Sequence, residues 1–291
     1  MRIGALEAGG TKMVCAIATE KGEILDRESF PTTTPEESVP ALTGWFSERG
    51  IDALGIGAFG PTCVDPASPA FGTILETPKL PWRGFALRAA FADALGVPVG
   101  YDTDVNVACL GEATFGDSRG IEDLVYVTIG TGVGAGVMCG GHLLHGMLHP
   151  EAGHMLLTRV PGDEGPCVCP SHDSCLEGLA AGPSIERRWG AKGTELADRP
   201  EVWELEASYL AQMCHNLVLC YSPRRIILGG GVMHQEQLFP LVREKTLRSL
   251  GGYITAPELE DVDSYIVPPS LNDNQGVLGC VELGRRAAAE A

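Results

Sequence analysis

The chain has 291 residues, of which 44% are hydrophobic, enough for two domains with their own cores. Its formal net charge of −17 argues against a nucleic-acid surface, although backbone N–H groups or a metal ion can still bind a small anion. No apolar run is long enough to span a bilayer, and the N-terminus lacks the pattern of a signal peptide. Most of the ten cysteines lie singly in apolar segments, as in proteins of reducing compartments. We therefore predict a cytoplasmic protein that binds neither nucleic acid nor membrane.

The first part of the chain predicts α/β structure that begins with a glycine-rich turn between two strands. The predicted elements, in chain order, are strands 3–7, 12–19 and 23–30, helix 34–50, strand 53–59, an extended loop 61–83, helix 84–95, strand 97–102 and helix 105–115. Proline, threonine and glycine are frequent in the loop, which is why no regular element is predicted there.

The second part of the chain repeats the strand–glycine turn–strand beginning. Its predicted elements are strands 123–129 and 133–139, an irregular segment 151–176, helices 176–190 and 204–221, strand 225–228, helix 235–250, strand 265–267 and helix 276–288. This duplication predicts two similar α/β domains that face one central cleft. We place the first domain at 1–117, joined by the C-terminal helix 276–289. The second domain is placed at 118–275, with an inserted loop at 151–177.

The glycine turns are candidate phosphate sites, because glycine lets backbone N–H groups approach an anion closely. Neither turn fits a Walker or a dinucleotide-binding motif. A single such turn is equally well explained as an ordinary hairpin, but its repetition favours phosphate. The candidate residues are Gly9, Gly10, Thr11 and Lys12 in the first turn, Thr131, Gly132 and Gly134 in the second, and Gly229, Gly230 and Gly231 in a third glycine run that could face an adenosine. Beside the first turn, Glu7 is a candidate for holding hydrated Mg²⁺.

A group of polar residues lies where strand 97–102 gives way to the following helix. Asp104 fits the N-cap of that helix, which is its purely structural explanation. Phosphoryl transfer to an alcohol, however, needs a carboxylate that positions the hydroxyl and accepts its proton. We assign this role to Asp104, with Asp102 as the nearest competitor.

Two histidines and two cysteines have the types and spacing of a closed tetrahedral Zn²⁺ site. The predicted ligands are His154, Cys169, His172 and Cys175. Cys167 is an alternative ligand that could take the place of His172. Reactive surface thiols are the competing explanation, but the loop has few apolar residues and a metal would organise it. Four ligands indicate a structural and not a catalytic ion.

Taken together, these motifs resemble the ROK family of bacterial sugar kinases, in particular its zinc-containing fructokinases. The resemblance covers essentially the whole chain. Residues 7–12 are similar to the first phosphate motif of the family, with glutamate where many members carry aspartate, and residues 128–136 are similar to the second. Asp104 matches the catalytic base of the family. Residues 151–154, Glu-Ala-Gly-His, resemble a sugar motif whose histidine can touch both sugar and zinc.

The resemblance extends to further sugar contacts. Glu177 lies in a stretch whose glutamate binds sugar hydroxyls, and residues 77–82 resemble a loop over the sugar. Thr103 departs from the pattern, since many members have asparagine there, and this affects one sugar hydrogen bond. The sugar-binding residues that the resemblance implies are Gly60, Pro61, Thr103, Asp104, Glu151, His154 and Glu177.

The resemblance implies an actin-like ATPase (ribonuclease H-like) fold, a homodimer, and the cofactors Mg²⁺ (with ATP) and structural Zn²⁺. The activity it implies is transfer of the γ-phosphate of Mg-ATP to the 6-hydroxyl of D-fructose. Glucose, mannose and N-acetylated hexosamines are alternative acceptors. A non-catalytic sugar sensor is disfavoured because Asp104 and both phosphate turns are intact. A zinc hydrolase is disfavoured because four ligands leave no open position on the metal.

Overall fold

A computed structural model describes all 291 residues and divides the chain into two compact units. Unit 1 comprises 1–120, 143–150 and 270–291, and unit 2 comprises 121–142 and 151–269. The predicted domains differ from these units mainly in two segments, 143–150 and 270–275, which the sequence had placed in the second domain. The first of these segments falls in unit 1 because His145 and His149 hydrogen-bond to residues there.

Unit 1 contains a five-stranded sheet in the order β3-β2-β1-β4-β5. The strands are β1 (Arg2–Ala8), β2 (Lys12–Thr19), β3 (Ile24–Pro31), β4 (Ala53–Ala58) and β5 (Val99–Thr103). The first three form an antiparallel meander, and β4 and β5 then add parallel to β1 on its other side. The carboxyl ends of β1, β4 and β5 therefore lie at one edge of the sheet, which is where ligands usually bind in such sheets.

Helices cover both faces of this sheet. They are α1 (Pro35–Arg49) and α2 (Leu87–Leu95) on one face, and α3 (Asp104–Phe115) and the C-terminal helix α10 (Gln275–Glu290) on the other. Side chains alternate between the two faces along a strand. Leu6 of β1 therefore packs in the core under α1 and α2, whereas its neighbour Ala5 packs in the core under α10. Loop 61–83 is irregular as predicted, apart from a short 3₁₀ turn near its end.

Helix α10 approaches its neighbours through glycines. A Cβ atom at Gly279 would lie only 1.6 Å from the carbonyl oxygen of Val107 in α3. A Cβ atom at Gly55 of β4 would likewise lie 1.8 Å from the carbonyl oxygen of Cys280. These backbones touch because neither glycine carries a side chain, so α10 is packed tightly into unit 1.

Unit 2 repeats the sheet of unit 1. Its strands are β6 (Leu124–Ile129), β7 (Val133–Cys139), β8 (His142–Leu143), β9 (Arg225–Gly229) and β10 (Ile266–Val267). Their order in the sheet is β10-β9-β6-β7-β8. When the five strands of each unit are numbered in chain order, both sheets have the order 3-2-1-4-5. Again β6 and β7 form an antiparallel hairpin and β9 adds parallel to β6. The duplication predicted from the two glycine turns is thus present in the strand order.

The helices of unit 2 are α4 (Leu176–Ala180), α5 (Gly182–Trp189), α6 (Pro200–Tyr221), α7 (Leu238–Leu250), α8 (Pro257–Glu260) and α9 (Val262–Tyr265). The prediction of one helix over 176–190 is wrong, because the backbone of Ala181 is extended and separates α4 from α5. Pro183 follows in the first turn of α5, a position where proline is well tolerated. None of the helices in either unit combines the length and apolar character needed to cross a bilayer.

Candidate active site

Polar side chains gather where β5 ends and α3 begins. Thr103 is the N-cap of α3, and its side-chain oxygen accepts a hydrogen bond from the backbone N–H of Asn106 at 3.1 Å. The N-cap role considered for Asp104 is therefore wrong. Asp104 is the first helical residue, and its Oδ1 accepts from the backbone N–H of Val105 at 2.9 Å. The start of a helix favours negative charge, which suits a carboxylate that must be ionised to accept a proton.

Asp102 is buried and uses both of its carboxylate oxygens. Its Oδ1 accepts hydrogen bonds from the backbone N–H of Thr103 at 2.8 Å and from Nδ2 of Asn106 at 2.7 Å. Its Oδ2 lies 2.8 Å from Nε2 of His145. These bonds give Asp102 the task of organising the strand end, so Asp104 remains the better candidate for the base.

Sequence reasoning missed His145 because it lies 43 residues from Asp102 in the chain and belongs to no recognisable motif. The hydrogen bond to Asp102 raises the pKa of His145, although partial burial opposes this. Asp65 adds to the effect through its negative charge. His145 is therefore more readily protonated than an ordinary histidine.

The loop that follows β4 is held against β5. A cis peptide bond joins Gly60 to Pro61, and Thr62 is fully buried. The Thr62 hydroxyl lies 2.5 Å from the hydroxyl of Tyr101, the residue before Asp102. The backbone N–H of Thr62 donates to Nε2 of His149 at 3.4 Å. The predicted sugar loop thus contacts both β5 and segment 143–150.

The first glycine turn is a tight hairpin beside two lysines. The backbone N–H of Gly9 donates to the carbonyl of Lys12 at 3.1 Å, and the Thr32 hydroxyl donates to the carbonyl of Gly9 at 2.7 Å. A Cβ atom at Gly10 would lie 2.8 Å from Cε of Lys79. Lys79 was predicted only as part of a loop over the sugar, but the structure places it at the phosphate turn. The ammonium groups of Lys12 and Lys79, next to glycine backbone that carries no side chain, suit the binding of a polyanion.

Glu7 lies on β1 just before this turn and is partly exposed. Burial raises the pKa of Glu7, while the nearby charges of Arg27 and Lys12 oppose that shift. A Cβ atom at Gly276 of α10 would lie 2.7 Å from Oε2 of Glu7, so the glycine makes room for the carboxylate. A carboxylate next to a candidate phosphate site has the chemistry to hold a hydrated Mg²⁺.

The second glycine turn is bonded to α4 and α5. The backbone N–H of Gly182 donates to the carbonyl of Gly130 at 2.8 Å. Oε2 of Glu177 accepts from the backbone N–H of Val133 at 2.9 Å, and a Cβ atom at Gly132 would lie 2.7 Å from that same oxygen. Gly132 and Glu177, predicted separately for phosphate and sugar, are therefore neighbours.

A cavity of about 450 Å³ opens beside this turn within unit 2. It is lined by both the second turn and the third glycine run, with apolar, hydroxyl and charged side chains around them. Representative lining residues are Gly130, Thr131, Pro183, Lys192, Trp203 and Gly231. The volume and the mixed lining are those of a site for a small organic ligand.

The four predicted zinc ligands come together in unit 2. The ligand atoms of His154, Cys169, His172 and Cys175 all lie within 4.8 Å of one another. Nδ1 of His154 lies 3.8 Å from Sγ of Cys169 and 3.7 Å from Sγ of Cys175, and Nδ1 of His172 lies 3.4 Å from Sγ of Cys169. Such separations fit ligands of one tetrahedral ion with bonds of about 2.0–2.3 Å.

The alternative ligand, Cys167, lies outside this cluster. Its Sγ instead donates to the carbonyl of His172 at 3.1 Å. The thiol is also close to α4, since a Cβ atom at Gly178 would lie 2.1 Å from its sulfur. The arrangement favours His172 over Cys167 as the fourth ligand.

The cluster also lies next to the predicted sugar residues of unit 2. His154 is the last residue of a 3₁₀ turn, and its backbone N–H donates to the carbonyl of Glu151 at 2.9 Å. Cys175 caps α4, two residues before Glu177, through a hydrogen bond to its sulfur from the N–H of Gly178. Three predicted sugar residues, Glu151, His154 and Glu177, therefore lie in the same loop 151–177 as the four predicted zinc ligands.

The sequence matches a protein family and known proteins over nearly its full length. The profile of the ROK family matches residues 3–287. The chain is 45% identical over 291 residues to a fructokinase of Pediococcus pentosaceus, and the match covers 100% of both proteins. It is 39% identical over 295 residues to a fructokinase of Zymomonas mobilis, covering 98% of this chain and 96% of the relative.

Two solved structures share the fold over nearly the full length. A ROK hexokinase from Thermus thermophilus superposes with a TM-score of 0.82 at 28% identity and 100% coverage of both chains. A ROK glucokinase from Streptomyces griseus, in complex with glucose and AMPPNP, superposes with a TM-score of 0.79 at 25% identity. That match covers 98% of this chain and 100% of the glucokinase. The predicted α/β actin-like ATPase fold is therefore confirmed.

Proposed function

We propose that this chain, which belongs to the ROK family, is an ATP-dependent fructokinase that phosphorylates the 6-hydroxyl of D-fructose. The observation that carries the proposal is its identity of 39–45% to fructokinases over essentially its whole length. The position of Asp104 at the start of α3 supplies the chemical counterpart of that likeness.

Asp104 would act as the general base. As the 6-oxygen of fructose bonds to the γ-phosphorus, the bond from that phosphorus to the β-γ bridging oxygen breaks, and Asp104 takes the hydroxyl proton. The products are fructose 6-phosphate and ADP. Asp102 would hold the strand end in shape through its bonds to Thr103 and Asn106, so that Asp104 stays correctly placed.

The phosphates of ATP would lie along the glycine turns. Lys12 and Lys79 would contribute positive charge at the first turn, and the backbone N–H groups of Gly10 and Thr11 would donate hydrogen bonds. Glu7 would hold the hydrated Mg²⁺ that accompanies ATP and lowers the charge of its phosphates. The cavity beside the second turn has room for the adenosine.

The residues proposed to bind the sugar are Gly60, Pro61, Thr103 and Asp104 in unit 1, and Glu151, His154 and Glu177 in unit 2. Support in unit 1 comes from the buried contact between Thr62 and Tyr101, which ties the Gly60–Pro61 loop to β5. Support in unit 2 comes from Glu177, whose position is fixed by its hydrogen bond from Val133. These residues are hydrogen-bonding types, as recognition of sugar hydroxyls requires.

We further propose that the chain belongs to the zinc-containing branch, with His154, Cys169, His172 and Cys175 as ligands. Bound Zn²⁺ would cross-link loop 151–177 and would take no part in the transfer. Nδ1 of His154 faces the two thiols, which leaves Nε2 as the nitrogen that can donate to a sugar hydroxyl. A homodimer in the cytoplasm completes the proposal; no disulfide joins any of the ten cysteines, which suits a reducing compartment.

A panel of hexoses tests the function directly. Fructose, glucose, mannose and N-acetylglucosamine would each be incubated with Mg-ATP, and ADP release would be followed in a coupled assay. The highest kcat/KM is expected with fructose, and the Asp104→Asn variant measures any background hydrolysis of ATP. A higher kcat/KM with another hexose would reassign the acceptor, and no sugar-dependent ADP release would overturn the proposal.

A further inference from the structure

Segment 143–150 belongs to unit 1 and is attached there at two points. Nε2 of His145 lies 2.8 Å from Oδ2 of Asp102, and Nε2 of His149 accepts the backbone N–H of Thr62 at 3.4 Å. The residues before and after the segment belong to unit 2. Between the two histidines, Met147 is 95% exposed, so the attachment depends on the histidines and not on an apolar contact at that position.

The contact with Asp102 has an electrostatic consequence for the proposed base. Asp102 and Asp104 are two residues apart, and both negative charges act on the same neighbour, Tyr101. Asp102 is 3% exposed, so solvent screens its charge poorly. Without a cation beside it, Asp102 would oppose ionisation of Asp104 and repel an incoming phosphate.

Two carboxylates act on the charge of His145. The acidic groups that act on it are Asp102 from β5 and Asp65 from the loop after β4. The side chain is 35% exposed, and the hydrogen bond to Asp102 raises its pKa. The raised pKa favours the imidazolium form of His145, which carries a positive charge beside Asp102.

We propose that His145 is a charge-balancing positioning residue: as an imidazolium bonded to Asp102, it cancels the charge of Asp102 so that Asp104 can ionise and accept the proton of the sugar hydroxyl. The inference rests on the proposed function, because it concerns the base of that reaction. His145 acts through Asp102 and is not itself assigned a contact with substrate.

The first test replaces His145 by glutamine, which can still donate a hydrogen bond to Asp102 but carries no charge. The acidic limb of the kcat/KM profile for fructose should move about one pH unit upward in His145→Gln, because Asp102 then opposes ionisation of Asp104. The KM for ATP and the plateau kcat should change by less than about threefold. His142→Gln, at an exposed position in β8, is the matched control and should leave the limb in place.

The second test restores the charge balance without the histidine. In Asp102→Asn/His145→Gln the asparagine can still accept from Thr103 and Asn106, and both charges of the pair are gone. The acidic limb should return towards its wild-type position, a result that a merely structural role for His145 would not produce. A limb that is unmoved in the single variant, or that is not restored in the double variant, would overturn the inference.

A readout independent of activity separates this inference from the proposed function. The titration of His145 can be followed by NMR, with its ring signal assigned by its loss in His145→Gln. Its midpoint should fall in Asp102→Asn. If wild-type protein phosphorylates no hexose, the proposed function fails while this titration still tests the charge pair. If fructose is phosphorylated and Asp102→Asn leaves the midpoint unchanged, the inference alone fails.

Discussion

The two units share one strand order but carry different chemistry at corresponding places. In unit 1, charged residues flank the first turn: Glu7 and Lys12 lie at its two ends, and Lys79 lies beside Gly10. In unit 2 the corresponding hairpin is bonded to helices through Gly182 and Glu177 and borders a cavity. The same strand order thus carries charged groups in one unit, and a cavity and a cluster of candidate metal ligands in the other. Strand order alone therefore does not assign a chemical role to either unit.

If the reacting groups lie in unit 1, the largest effect should follow from removing the base. Asp104→Asn should lower kcat about 10²–10⁴-fold, because the amide cannot accept the hydroxyl proton, while fructose and ATP still bind. Steady-state kinetics measures both quantities. Asp93→Asn, at an exposed position in α2, is the control and should be unaffected. A kcat within about tenfold of wild type would assign the base to another group.

The proposed zinc site should affect sugar binding more than nucleotide binding, because bound zinc would support Glu151, His154 and Glu177. Chelation, or Cys169→Ser together with Cys175→Ser, should lower kcat/KM for fructose on the order of a hundredfold, since a displacement of about 1 Å can cost that much. The KM for ATP should change less. Elemental analysis should find one zinc per wild-type chain.

Cys167→Ser provides the matched control for the metal prediction. Its sulfur lies outside the cluster and should be dispensable for zinc. Metal-free protein with normal fructose kinetics would refute the supporting role. If His172→Ala retained zinc and Cys167→Ser lost it, the site would exist with Cys167 as its fourth ligand.

Valine at the two glycine turns should affect the two units differently. Both Gly10→Val and Gly132→Val should raise the KM for ATP about tenfold, since the loss of one or two backbone contacts costs about 1–2 kcal/mol. Gly132→Val should also raise the KM for fructose, because its side chain would displace the carboxylate of Glu177. Gly10→Val meets only the flexible end of Lys79 and should leave fructose binding unchanged. Unchanged ATP kinetics in both variants would make these turns ordinary hairpins.

The smallest effect concerns the stability of unit 1 as a function of pH. The pKa of His145 is raised in the folded protein by its bond to Asp102, so the pair stabilises the fold fully below the unfolded value of about 6.5. That stabilisation is lost as the pH rises through the raised folded value. Wild type should therefore exceed His145→Gln in free energy of unfolding by less than about 1 kcal/mol at pH 5.5, and by less still at pH 9. Urea denaturation at the two pH values measures this, and a larger difference at pH 9 would contradict the assignment.

The strands next to the glycine turns were the most predictable part of the fold. The predicted limits of 12–19 and 133–139 are those of β2 and β7, because a hairpin is a local structure whose turn and alternation lie in adjacent residues. The helix break at Ala181 was not predicted, since the apolar pattern continues across it. The cap of α3 was assigned one residue too late, because threonine and aspartate are both good caps and their local sequence does not distinguish them.

The candidate site was predictable where its residues are close in the chain. Cys169, His172 and Cys175 have metal-ligand spacing, and the structure brings them together with His154. The pairing of His145 with Asp102 and the approach of Lys79 to Gly10 have no local signal. Both depend on the paths of loops between strands, which are set by tertiary contacts and not by the periodicity of their own sequence.

Helix α10 packs tightly into unit 1 but lies at the end of the chain, and this affects the order in which the protein can fold. Unit 1 supplies the first 120 residues of the chain, yet the helix that closes one face of its sheet is Gln275–Glu290. During synthesis, residues 121–269 emerge completely before that helix does, so unit 2 can fold while unit 1 still lacks a layer. The exposed face includes Ala5, Val14 and Ala16, which α10 covers in the finished protein. The unit that is synthesised first is therefore completed last, and a ribosome stalled before residue 275 would hold a half-open sheet that chaperones can recognise.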